Sequence, residues 1–164
     1  MSLRDAVFQE AQALSPQISS LRRKLHACPG TGFDLADTLT AVEAELRRLG
    51  YEPARCGRAG LVATLSGGQP GKVFLLRADM DGLPIREEAK VDFPSRNGKM
   101  HACGHDMHTA MLLGAAALLK THQSQLRGTV KLMFQPAEEI FEGSADMIRA
   151  GVLNDPDVDA ALMI

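Results

Sequence analysis

Residues 72–84 read KVFLLRADMDGLP. Val73, Phe74, Leu75 and Leu76 form an unbroken apolar run, the pattern of a strand buried on both faces in the middle of a sheet. Asp79 and Asp81 follow almost at once, two residues apart. Carboxylates at the carboxyl end of a buried strand sit where open α/β sheets gather functional groups. Three roles suit them: metal ligands, partners that orient a ligating imidazole, or turn formers ahead of Pro84.

Upstream, GLVATL (60–65) has strand character. The SGGQPG segment (66–71) has hairpin chemistry, so these two strands are expected to pair as a hairpin. Leu39, Val42, Leu46 and Leu49 mark one face of a helix from Asp37 to Leu49, with Gly50 placed to end it in a left-handed conformation. Leu3, Val7, Ala11, Leu14, Ile18, Leu21 and Leu25 form a longer apolar stripe, which Ser15-Pro16 is expected to kink or restart. Downstream, TAMLLGAAALLKTH (109–122) reads as a small-residue helix and GTVKLMF (128–134) as a strand. EGSADMIRAGVL (142–153) reads as a short helix, and VDAALMI (158–164) as the start of another buried strand. Strands alternating with helices place the chain in the α/β class, with a sheet covered on both faces. Ending inside an apolar strand points to the first part of a longer domain.

The chain has 164 residues, a net charge of −2 and 45% hydrophobic residues, enough for one domain with a real core. No basic face suggests nucleic acid, and no apolar stretch approaches the roughly 20 residues of a membrane span. There is no signal-peptide pattern. Cys28, Cys56 and Cys103 are odd in number and form no CxxC pair, so a reducing, cytoplasmic setting is expected.

Two further strand ends carry chemistry. MHACGHDMHT (100–109) packs three of the five histidines, His101, His105 and His108, together with Cys103. Thiolate and imidazole are the usual ligands of zinc-like ions. In extended backbone Cys103 and His105 project to one side, and Gly104 lets the chain bend so that both converge. Asp106 suits the N-cap of the following helix, whose N-terminus would favour the thiolate. QPAEE (135–139) sets Glu138 and Glu139 just past a strand. Such neighbours repel unless a cation lies between them, in which case one ligates and the other accepts a proton from water.

These segments resemble the N-acyl-amino-acid amidohydrolases, the hippurate hydrolase and indole-acetyl-amino-acid hydrolase branch of the dinuclear metallo-aminoacylases and carboxypeptidases. LRRKLHACPGTGF, LLRADMDGLPIREE, GKMHACGHDMHTAMLLGAA and GTVKLMFQPAEE carry the resemblance. It implies a metallo-aminopeptidase/carboxypeptidase-like catalytic domain with a mixed β-sheet flanked by helices, of which residues 1–164 form the N-terminal part without the lid domain. It also implies two divalent metal ions, zinc or manganese, and a small-molecule N-acyl amino acid as substrate. Cys103, His105 and Glu139 match metal ligands, Glu138 the general base, and Asp79 a residue that orients a ligand. Arg77 stands where the wider superfamily has a ligating histidine. Gly30 replaces a usual glutamate and Gly82 a usual alanine.

Two alternatives stand beside hydrolysis by metal-activated water. One is a non-catalytic module lacking distal histidine ligands. The other is a cysteine hydrolase using Cys103. An unpaired sheet edge would favour a homo-oligomer.

Overall fold

A computed structural model describes residues 2–163. Helix α1 (Leu3–Ala27) opens with a reciprocal cap in which Ser2 and Asp5 satisfy each other's backbone N–H groups. It runs unbroken through Pro16, so the expected restart does not occur. Pro16 lies on the exposed side of the helix, while the opposite side rests on a later helix. Then come α2 (Ala36–Arg48), β1 (Ala54–Cys56), β2 (Gly60–Ser66), β3 (Gln69–Asp79), α3 (His105–Thr121), β4 (Arg127–Gln135), α4 (Gly143–Arg149) and β5 (Ala160–Met163).

Among the described residues the five strands form one mixed sheet in the order β1-β2-β4-β3-β5. β4 is antiparallel to β2 and parallel to β3, and β5 is parallel to β3. The expected β2–β3 hairpin is therefore absent: β4 lies between the two strands. The SGGQPG connection passes beneath the start of β4, held by hydrogen bonds from Gly67 N–H to Gly128 O (2.8 Å) and from Gly68 N–H to Gln123 O (3.1 Å). The reason is burial. Leu132 and Phe134 are fully buried on one face of β4 and Met133 nearly so on the other. A hairpin would push that strand toward an edge and expose both faces.

The first face carries Leu61, Ala63, Leu65, Leu132, Phe134 and Ala78 against α2 and α3. Helix α1 then packs on α3, where a Cβ on Gly114 would come within 3.2 Å of Ile18. The second face carries Leu75 and Met133 against Met147 of α4 and Val152. Lys131, also buried there, donates its ammonium hydrogens to the Asn154 and Pro156 carbonyls. The KVFLL run is only partly two-sided: Val73 and Leu75 are buried, but Phe74 is 39% exposed. β5 forms as a strand, yet all four residues are exposed, so the expected buried strand is an open apolar edge. Its expected last residue, Ile164, lies outside the described residues. No helix among the described residues is long and apolar enough to cross a membrane.

Gly30 and Gly82, the two departures from the resembled pattern, touch each other. The Gly82 N–H donates to Gly30 O at 2.8 Å. A Cβ on Gly30 would fall 2.7 Å from Leu35 Cδ2, and one on Gly82 would fall 2.8 Å from Met100 O. Gly30 is closed to a side chain by Asp34 and Leu35 of its own turn, and Gly82 by the backbone of Met100.

Tyr51 anchors the exit of α2 by donating its buried hydroxyl to Ala116 O of α3 at 2.8 Å. Burial pushes its pKa from 10.0 up to about 12. The fold thus favours the neutral phenol: its contribution to stability is whole below the unfolded value and is lost as pH rises through about 12. The chain has one tyrosine and no tryptophan, so phenolate absorbance reports this residue alone. We expect a folded-state midpoint near 12; a midpoint near 10 would show that the hydroxyl is not buried.

Candidate metal centre

The carboxyl ends of β3 and β4 lie side by side, with Asp79 in register with Gln135. From β3 the chain continues to α3 on one face; from β4 it continues to α4 on the other. The strand ends therefore open onto a crevice between diverging connections, the usual position of a ligand site in such sheets.

Asp81 ties the crevice together. Its side chain is fully buried. Oδ1 accepts from Glu138 N–H at 2.9 Å, Oδ2 accepts from Glu139 N–H at 3.2 Å, and its backbone carbonyl lies 2.8 Å from His105 Nδ1. Burial raises the carboxyl's pKa, but hydrogen bonding with His105, the two backbone N–H groups and the charge of His105 outweigh it and hold the group below its ordinary value. A carbonyl can only accept, so His105 donates from Nδ1 and directs the lone pair of Nε2 into the crevice.

Around that nitrogen stand three carboxylates. Asp79 Oδ2 is 3.6 Å from His105 Nε2, Glu138 Oε2 3.8 Å and Glu139 Oε1 3.9 Å. Glu139 Oε1 is buried without a hydrogen-bond partner. Cys103, His105 and Glu139 offer one donor atom each, all within 4.8 Å of one another. Two ligands of one tetrahedral zinc-like ion lie about 3.4–3.7 Å apart, given bonds of about 2.1–2.3 Å. The His105–Glu139 pair, at 3.9 Å, is a few tenths of an ångström from that spacing, and a contraction of at most about 1 Å closes the whole set; the orphaned oxygen would gain the partner it lacks. The donor set fits a divalent ion. Burial lowers the His105 pKa, but Asp81 and the charge of Asp79 overcome it and raise the pKa above its usual value. The crevice favours positive charge at this point.

The local backbone differs from the extended Cys-x-His expected. Cys103 sits in a turn, Gly104 is left-handed at φ +86°, and His105 is the first residue of α3. The N-cap is Gly104, not Asp106. Asp106 lies one step into the helix, buried, with Oδ2 2.6 Å from Arg22 Nε and 2.8 Å from His26 Nδ1, and so pins α3 to α1. The thiolate is not favoured either: the Glu139 carboxylate, then burial and the other carboxylates, push the Cys103 thiol to about 11. Proximity to the Glu139, Glu138 and Asp79 carboxylates outweighs the helix N-terminus. A thiol raised in this way is a poor nucleophile, which counts against the cysteine hydrolase.

Two roles were not singled out by spacing. His108 Nδ1 lies 2.8 Å from Asp79 Oδ1, while Arg77 donates to Asp79 Oδ2 at 2.7 Å. The available signal was helical: His105 and His108 are three apart and share a face. Asp81 was one of two equivalent aspartates in sequence. His101, by contrast, joins no donor set among the described residues; it is buried, neither ring nitrogen has a partner among them, and burial pushes it down to about 4.

The mixed sheet, with sulfur, imidazole and carboxylate donors at two parallel strand ends, is the architecture of a metallopeptidase catalytic domain. The chain belongs to peptidase family M20/M25/M40, whose sequence profile matches residues 75–164. It is 46% identical over 140 residues to an N-acyl-L-amino acid amidohydrolase of Geobacillus stearothermophilus, covering 84% of this chain and 38% of that one. It is 47% identical over 140 residues to IAA-amino acid hydrolase ILR1-like 5 of Arabidopsis thaliana, covering 82% and 31%. The crystal structure of the YxeP protein of Bacillus subtilis, described as a dinuclear metal binding peptidase from the M20 family, superposes with a TM-score of 0.87 at 38% identity, covering 93% of this chain and 43% of that one. The chain thus spans less than half the length of the relatives it matches.

Replacing Asp81 by Asn leaves one acceptor for two N–H donors and turns an amide NH2 toward the other. We expect Asp81→Asn to lower the unfolding free energy by about 1.5–3 kcal/mol, the range for hydrogen bonds to a charged group. Urea denaturation at unchanged m-value measures it. A midpoint equal to that of the unaltered protein would remove Asp81 from this structural role.

Proposed function

We propose that this chain is the metal-binding part of an amidohydrolase that cleaves the amide bond of N-acyl amino acids. The observation that carries the reading is the convergence of Cys103, His105 and Glu139 within 4.8 Å beside the carboxylate of Glu138. Family membership and relatives named as amidohydrolases support it and do not favour a non-catalytic module. The reading extends to two divalent ions, zinc or manganese by donor type. Cys103, His105 and Glu139 supply one three-donor set, and a second ion needs donors beyond these.

Cys103, His105 and Glu139 would hold a divalent ion, which would supply acidification of water and polarisation of a carbonyl. The remaining work falls to side chains. Glu138 stands about as far from His105 Nε2 as Glu139 does, yet is more exposed, 35% against 16% for the side chains. Glu139 is therefore the buried ligand, and Glu138 the carboxylate free to take a proton from water and deliver it to the leaving amine. Asp79, held by Arg77 and His108, fixes the field that faces His105. Asp81 fixes the ring orientation of His105 and the position of both glutamates.

Glu138→Gln keeps the shape and removes the base. Turnover of N-acyl amino acids should fall by roughly 10²–10⁴-fold, the usual contribution of such a base, while elemental analysis finds the same metal content. Unchanged turnover would remove Glu138 from the role; lost metal would make it a ligand instead.

A further inference from the structure

His105 belongs to two donor groups at once. Besides Cys103–His105–Glu139, the atoms of Asp79, His105 and His108 also lie within 4.8 Å of one another. His105 Nδ1 is committed to the Asp81 carbonyl at 2.8 Å, so the ring has one lone pair to give, on Nε2. One lone pair serves one ion. The two groups therefore exclude each other through His105.

We propose that Asp79, His105 and His108 form a second, alternative site for a divalent transition ion, which takes the ion when the Cys103 thiolate is not available. The inference rests on the reading that Cys103, His105 and Glu139 hold the resident ion. His105 and His108 lie three apart in the first turn of α3, so both imidazoles project from one helix face. Their rings stack at 5.6 Å with planes 29° apart. Asp79 arrives from the end of β3, nearly fully buried and held by Arg77 at 2.7 Å.

The distances suit an ion with little movement. His105 Nε2 is 3.6 Å from Asp79 Oδ2, inside the range of about 3.4–3.7 Å expected for two ligands of one ion. His108 Nδ1 and Asp79 Oδ1, 2.8 Å apart, now share a proton. An ion takes that proton's place when His108 adopts its other neutral tautomer, the one proton moving from Nδ1 to Nε2. Two imidazoles and a carboxylate, without sulfur, form a borderline donor set that suits cobalt, manganese, iron or zinc. Cys103 is exposed and open to modification. Losing its thiolate would then shift the ion across His105 rather than expel it.

Cobalt(II) tests this, because thiolate coordination gives a near-ultraviolet charge-transfer band and imidazole–carboxylate coordination does not. Cobalt is added to the unaltered chain, C103A, H108Q and C103A/H108Q, and bound metal is measured by equilibrium dialysis beside the absorption spectrum. The unaltered chain and H108Q should bind cobalt with the band. C103A should retain cobalt at His105 with the band gone, and C103A/H108Q should lose it. C103S and H108A provide the same comparison if either first variant fails to fold. Loss of cobalt from C103A, or equal binding by C103A and C103A/H108Q, overturns the alternative site while leaving Cys103 as a ligand. An unaltered chain that binds cobalt without the band overturns the Cys103 reading beneath it.

Discussion

Residue 81 uses all three of its oxygens to join two separate parts of the fold. The backbone carbonyl orients the first residue of α3, and the two carboxylate oxygens hold the loop that follows β4. This is a strong arrangement because the acceptor is charged, buried and fully paired. It also explains why the donors meet. Cys103 and His105 come from one connection and Glu139 from another, and no sequence proximity brings them together. A single buried carboxylate between two strand ends does so, and sets the tautomer of the imidazole in the same act.

The second constraint is charge. Asp79, Asp81, Glu138 and Glu139 crowd around one imidazole, with Arg77 as the nearest fixed cation. Carboxylates this close are stable together only when something positive lies among them. The raised pKa values of His105 and Cys103 are two expressions of that demand: each group holds its proton where a cation is wanted. Behind this surface, His26 places its two ring nitrogens 2.8 and 2.9 Å from Asp106 and Glu87, joining α1, α3 and the long β3–α3 connection. The crevice is thus stiffened from its rear by a second set of polar contacts.

The strands and helices were largely legible because their periodicities are strong. Sheet order was not. SGGQPG has the composition of a hairpin turn, and nothing local tells it apart from a connection that crosses the end of a third strand. That choice belongs to β4, whose Leu132, Met133 and Phe134 need cover on both faces. Pro16 misled for a related reason, since the cost of a missing hydrogen bond on an exposed helix side is met by packing elsewhere along the helix. Asp106 has the chemistry of an N-cap, but Gly104 takes that place and frees the aspartate to face Arg22 and His26.

By itself the sequence determined the element types, the α/β class and the residue kinds that supply the donors, because these depend on local periodicity and on the chemistry of individual side chains. It also marked three places to look, of which those after β3 and β4 are strand ends, while Cys103 and His105 stand at the start of α3 after a long connection. Tertiary structure alone decided which strand is central, which aspartate clamps and which faces the imidazole, and that His108 stands beside Asp79. Those outcomes depend on distances between groups dozens of residues apart, set by how apolar faces are shared out across the sheet, and no local pattern encodes them.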